Sequence, residues 1–229
     1  MKGSDKVEEQ QVLIAWNLFG FHINITEGII VQWVIILFVA LFFGLLTRNL
    51  KKVPDKKQTV LEMFVGTVKN LVKENMGEVY VGFFVPYIGT LIVFLLLMNL
   101  SGLVGAEPPT SDISVAAGMG LSTFIIIQAY AIKKLGVAHY FLGYTKPLPV
   151  LLPINIMERI MLPVSLTLRL FGNILAGAVI ISMVYGGLKY FGVLIPIPLH
   201  LYFDLFDGSI QMVIFIMLTM INLKVIVEH

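Results

Sequence analysis

The chain has 229 residues, 58% of them hydrophobic and only 13% charged, with a formal net charge of +2 and no cysteine. That apolar excess excludes an ordinary soluble domain, and basic residues dispersed to segment ends exclude a concentrated nucleic-acid-binding patch. The lack of cysteine removes disulfides, thiolate metal sites and cysteine nucleophiles. What remains is an all-α, polytopic membrane protein of about five transmembrane helices plus one interfacial amphipathic helix.

Residues 1–27 are expected to form an external N-terminus, with neither a cleavable signal nor an Arg-rich transit pattern. Residues 29–50 read as the first transmembrane helix, an almost unbroken apolar run of bilayer length. It is closed by Arg48, Lys51, Lys52, Lys56 and Lys57, which mark a cytoplasmic end by the positive-inside rule. Residues 58–80 place Val60, Leu61, Phe64, Val68, Leu71 and Val72 at helical spacing, with charges on the rest of the wheel. This is the amphipathic interfacial helix.

Residues 83–104 form the second expected span and leave through a turn-rich external loop without Lys or Arg, Gly105 to Asp112. Residues 113–134 return inward, with Gly118, Gly120 and Ser122 permitting close helix contact, and end at Lys133-Lys134. His139 to Pro153 reads as a polar, proline-rich connector, and Gly186-Gly187 as the start of a turn. The segments 154–185 and 197–227 then form a long hairpin. Each exceeds what an upright span requires, so strong tilt is expected. Lys224 places the C-terminus in the cytoplasm.

Polar residues in these last two segments carry the chemistry. Residues spaced by 3, 4, 7 or 11 share a helix face. Glu158, Ser165, Arg169, Asn173 and Ala176 therefore form one stripe, and Asp204, Asp207, Gly208, Gln211, Phe215 and Asn222 a second. An arginine at membrane depth is unfavourable by about 3 kcal/mol on insertion scales, so it faces a partner or a watery cavity. A structural pair of Arg169 with Asp204 or Asp207 is one reading. An aqueous path is the other, and it suits polarity spread through the depth. Arg159 reads as an interfacial snorkelling residue. His22, His139, His200 and His229 show no metal-ligand spacing, and His200 reads as interfacial. No H-E-x-x-H, G-x-S-x-G or phosphate loop is present, so no cofactor, metal or catalytic group is expected.

The stretch Pro163-Val-Ser-Leu-Thr-Leu-Arg-Leu-Phe-Gly-Asn-Ile-Leu-Ala-Gly177 closely resembles the signature of subunit a of F-type ATP synthases. Gly208 to Thr219 resembles that family's last helix, and Asn99-Leu100 with Pro108-Pro109-Thr110-Ser-Asp112 its external-loop motif. The resemblance implies a non-catalytic stator subunit, packed against a ring of c subunits and held by peripheral-stalk b subunits. Two offset half-channels would couple proton or sodium flow to rotation and ATP synthesis.

On this resemblance the essential arginine maps onto Arg169, with Asn173 and Gln211 as polar companions. Where many members carry an acid after the Ala-Gly, this chain has Ala178, and Asp204, seven residues before Gln211, supplies the external carboxyl. Asp207 extends that path and Glu158 belongs to the internal half-channel. The setting implied is a bacterial plasma membrane, with the N-terminus outside and the C-terminus cytoplasmic. The competing readings are a free-standing secondary transporter, which would show internal repeats and broken helices, and an intramembrane aspartyl protease using Asp204 and Asp207.

Overall fold

The structure, a computed structural model, describes residues 12–18, 21–48, 50–104, 108–145, 148–188 and 196–228. A short antiparallel hairpin, β1 (Val12–Leu18) and β2 (Phe21–Thr26), comes first, pairing Leu18 with Phe21 and Val12 with Thr26 around an irregularity between Val12 and Ile14. Val, Ile and Thr in these runs suit extended backbone. This hairpin, which lies within the expected external N-terminus, is the one departure from all-helical structure among the described elements.

Helix α1 (Glu27–Thr47) is apolar on every side and buries only Gly28. That pattern belongs to a helix whose solvent is lipid. A Cβ at Gly28 would lie 3.3 Å from Pro109 Cα, so the lack of a side chain lets the start of α1 seat on the loop after the second span. Helix α2 (Lys56–Asn75) is amphipathic, and its fully buried side chains, Val68 and Val72, both lie in its second half against α3 (Val81–Leu100). Gly77, at φ +106°, makes the turn into a 3₁₀ turn, Glu78–Tyr80, that leads into α3. A further 3₁₀ turn, Ser101–Val104, ends this span.

Asp112 caps α4 (Ile113–Leu135) by accepting a 2.8 Å hydrogen bond from Ser114 N–H, the usual device for an orphan N-terminal donor. Gly136 (φ +79°) turns the chain directly into α5 (Val137–Gly143). The connector expected over His139 to Pro153 thus contains a helix, and its last part a 3₁₀ turn, Pro149–Leu151. A seven-residue helix is too short to show an apolar period, which is why composition alone reads as loop.

Helix α6 (Leu152–Leu188) runs for 37 residues, about 55 Å at the α-helical rise, so tilt is required in a bilayer core of about 30 Å. Gly186 and Gly187 lie inside it, correcting the turn expected there; unbroken helix on the N-terminal side carries them. Residues 189–195, the remainder of that turn, lie outside the described residues. The chain resumes as α7 (Pro196–His200), passes through a π-helical turn, Leu201–Asp207, and continues as α8 (Gly208–Glu228). Among the described residues five helical stretches are long and apolar enough to cross a membrane.

The core is built from Phe84, Ile88, Leu95 and Met98 of α3, Ala116, Met119 and Ile127 of α4, Leu166 and Leu170 of α6, and Phe215, Met220 and Leu223 of α8. Helix α6 leans chiefly on α4, whereas α8 lies on α3 and α4. The close α4–α6 approach depends on Gly120, where a Cβ would stand 2.5 Å from Thr167 Oγ1 and 3.0 Å from the Pro163 carbonyl. The hairpin's two limbs are therefore supported by different neighbours and meet each other only locally.

Candidate functional site

Leu166 and Leu170 turn into the core, and beside them on α6 Glu158, Ser165, Asn173 and Ala176 are exposed and Arg169 is half-buried. Among the described residues the stripe is largely uncovered, apart from the contact Asn173 makes with α8. Among the described residues no hydrogen bond or ion pair engages the Arg169 guanidinium. The ion pair with Asp204 or Asp207 is not formed.

One turn beyond Arg169, Asn173 Nδ2 donates to Gln211 Oε1 at 2.7 Å. Gln211 is 1% exposed, and its Nε2 has no partner. An amide donor sealed from water without an acceptor is unfavourable by about 1–3 kcal/mol. Near the centre of the hairpin a cation and a buried amide thus lie on adjacent helices, with no anion beside the cation among the described residues. Asn173 and Gln211, which the resemblance named as companions of Arg169, are in direct contact.

Asp204 lies elsewhere. Its Oδ2 is 2.9 Å from His200 Nδ1, one turn back, and its carboxyl packs on Gly102 at the end of the α3 span, where a Cβ would come within 2.8 Å of Asp204 Cγ. Tyr185, near the end of α6, brings its ring within 6.3 Å of the His200 ring. Three groups from the two limbs thus gather at the connecting end of the hairpin. His200, read as interfacial, is Asp204's partner; the i,i+4 spacing was the signal for it.

A π turn interrupts the second stripe: Asp204 lies within a stretch wound more loosely than an α-helix, so its seven-residue spacing from Gln211 no longer puts it squarely on that face, whereas Asp207 is joined to Gln211 through α-helix from Gly208 onward. Such turns recur at functional sites. Asp207 is half-buried, and Asn222 is half-buried two turns beyond Phe215. Glu158 is exposed and lines a shallow surface cavity of about 490 Å³ with Pro153, Ile154, Met157 and Met161, all on α6.

Two further polar groups bound this site. On the Asp204 side, Asn99 is 2% exposed and donates to the Gly208 carbonyl at 2.8 Å, Thr110 Oγ1 stands 3.5 Å from Asn99 Oδ1, and Thr26 Oγ1 donates to Asp112 Oδ2 at 3.2 Å. This ties α1, α3, the Pro108–Asp112 turn and α8 into one frame, and Gly208 permits it, since a Cβ there would meet Asn99 Cβ at 2.9 Å. Toward the other side, Arg159 sits over the rings of Tyr144 and Tyr140, at 4.5 and 5.1 Å, with Nη1 3.5 Å from Gln128 Oε1. Tyr140 donates to the same Gln128 oxygen at 2.5 Å and contacts Tyr144 OH at 2.8 Å. Arg159 is therefore caged between α4, α5 and α6, a correction to the snorkelling expectation. Its partners come from segments that sequence reading could not bring together.

Among the described residues no group of His, Asp and Glu could hold a metal ion. The chain matches the family model described as ATP synthase A chain over residues 29–224. It is 35% identical over 227 residues to an ATP synthase subunit a, sodium ion specific, of Propionigenium modestum, covering 92% of this chain and 76% of that protein. An ATP synthase subunit a of Moorella thermoacetica is 34% identical over 203 residues, covering 87% and 91% of the two chains. Similar figures, 34% over 206 residues with 86% and 88% covered, describe an ATP synthase subunit a 2 of a Bradyrhizobium species.

Proposed function

This chain belongs to the ATP synthase A chain family, and from that premise we propose that it is the ion-translocating stator subunit of an F-type ATP synthase. It is a multi-span, non-catalytic component of the membrane sector of that complex. Its partners are a ring of c subunits, each bearing a membrane-embedded carboxyl, and peripheral-stalk b subunits.

The observation that carries the reading is the uncovered face of α6, where Arg169 has no counter-charge among the described residues. A fixed cation beside the ring favours the ionised form of a ring carboxyl, and so ion release there. It also repels a cation moving directly between the two access paths. Guanidinium suits the task because it stays protonated where an ammonium would lose its proton. Gln211, buried and bonded to Asn173, backs the polar face that carries Arg169.

Access from outside runs by Asp204, with His200, and Asp207. Access from the cytoplasm runs by Glu158. The external set lies at the mouth formed by the end of α3 and the π turn, away from Arg169, as two offset half-channels require. The coupling ion is a proton or sodium. Basic residues at Arg48, Lys51, Lys52, Lys133 and Lys134 support an N-terminus outside a bacterial plasma membrane. A protease reading would need two carboxyls facing across a cleft, and Asp204 and Asp207 lie on one turn.

The test is Arg169→Ala in the assembled complex. ATP-driven ion pumping and ion-driven ATP synthesis should both fall to background while the subunit composition is unchanged; coupling retained in a fully assembled variant would overturn the proposal.

A further inference from the structure

We propose that the segment joining α1 to α2, together with the first half of α2, is a binding surface for the phosphate headgroups of anionic phospholipids. Between Arg48 and Lys57 the chain carries five cations and one carboxylate. The carboxylate, Asp55, is taken by Lys51 at 2.7 Å. Of the other cations near this side of the membrane, Lys73 is used inside the chain by Glu78 at 2.9 Å, Lys134 by the Tyr80 ring at 3.8 Å, and Arg159 by its tyrosine cage, whereas Lys69 and Lys133 stand exposed outside this segment. Lys52, Lys56 and Lys57 are exposed, and among the described residues their side chains have no partner.

Their depth follows from α1. Its 21 residues span about 32 Å, matching a bilayer core of about 30 Å, so the next few residues emerge among the lipid phosphates. The surface is mixed rather than simply charged. Leu50 (58% exposed), Val53 (80%), Val60 (62%) and Met63 (65%) alternate with the lysines. Lys56, Val60 and Met63, spaced by four and three, share one stripe of α2. Cations beside outward apolar side chains fit a headgroup and the acyl chains beneath it, and a purely aqueous or acidic-protein partner would leave those side chains unused.

The protein body gives this half of α2 little to hold. No side chain from Lys56 to Thr67 is fully buried; within that stretch only Phe64 packs on the core, half-buried, and full burial begins at Val68. An isolated helix of this length is marginal in water, so the lipid surface supplies the missing support. The reasoning needs only that α1 crosses the bilayer; which leaflet is involved rests on the orientation proposed above.

The experiment is amide hydrogen exchange of the complex containing this chain, in lipid nanodiscs of phosphatidylglycerol or of phosphatidylcholine. Amides over residues 56–67 should exchange slowly in phosphatidylglycerol and faster in phosphatidylcholine. In phosphatidylglycerol, exchange should quicken roughly fivefold for each of Lys52→Gln, Lys56→Gln and Lys57→Gln, with residues 68–75 unaffected as an internal control of folding. Equal protection in both lipids would overturn the proposal. Protection that is lost in the lysine variants yet indifferent to lipid would also overturn it, in favour of a protein partner.

Discussion

Arg159 and Arg169 stand ten residues apart on α6 and answer the same difficulty, a cation within an apolar helix, in opposite ways. Arg159 is enclosed by chain partners: two tyrosine faces and the Gln128 oxygen. Arg169 has no such contacts among the described residues; each arginine has nearby a buried glutamine whose amide nitrogen is unpartnered, Gln128 and Gln211, so the difference lies in the guanidinium's own partners. The fold builds a cage for one arginine and not for the other, which fits the proposed approach of a ring carboxyl to Arg169.

The largest effect expected from this contrast is the loss of pumping to background in Arg169→Ala, with the complex as heat-stable as the parent. A fall in thermal stability instead would place Arg169 with Arg159. Next is Gln211→Leu, which removes the unpaired donor and the acceptor of Asn173. Loss of one such interaction corresponds to about 1.4 kcal/mol, so ATP synthesis should slow roughly tenfold, measured in inverted vesicles at equal complex content. An unchanged rate would mean that the amide serves packing alone.

Arg159→Ala should do the reverse of Arg169→Ala. Two cation–π contacts at a partly exposed site are worth about 1–2 kcal/mol together, so the complex should unfold at lower temperature while coupling per assembled complex is kept. Arg159→Ala that uncouples without destabilising would erase the distinction between the two arginines.

The smallest effect is alkaline. Burial, and then the neighbouring Tyr144 hydroxyl, push the Tyr140 hydroxyl up to about 12. An unfolded tyrosine ionises near 10, so this raised folded value favours the neutral form. The support it gives is complete below pH ~10 and is lost as pH rises toward about 12. Thermal stability of the complex should decline over that window, and the part of the decline due to this group should be missing in Tyr140→Phe.

Much of this was legible in the sequence because lipid imposes long apolar runs, and such runs announce themselves without knowledge of tertiary contacts. Five spans, the amphipathic α2 and the Arg169–Asn173 face were readable from spacing, whereas setting Gln211 beside Asn173 took the family resemblance. Helix α5 was hidden because seven residues are too few for a period, and with it went the cage, since Tyr140 and Tyr144 reach Arg159 only once α5 folds against α4. The Asp204–His200 pair was visible as an i,i+4 spacing, but spacing gives no reason to choose a pair over two independent interfacial residues. The packing of Asp204 on Gly102 joins positions 102 residues apart in sequence, and no local pattern encodes it.

The π turn at Leu201–Asp207 changes what it means for a position here to correspond to one in a relative. A helix absorbs an inserted amino acid by winding one turn more loosely and then resuming its pitch, leaving both flanks where they were. Deleting one residue there would restore α-helical winding with the flanks still in place, so a count of seven back from Gln211 would reach a different residue. Counting back from the glutamine is therefore an unreliable ruler for the external acid across homologues. The spatial neighbours provide a better one: Asn99 identifies the counterpart of Gly208, and Gly102 identifies the counterpart of Asp204.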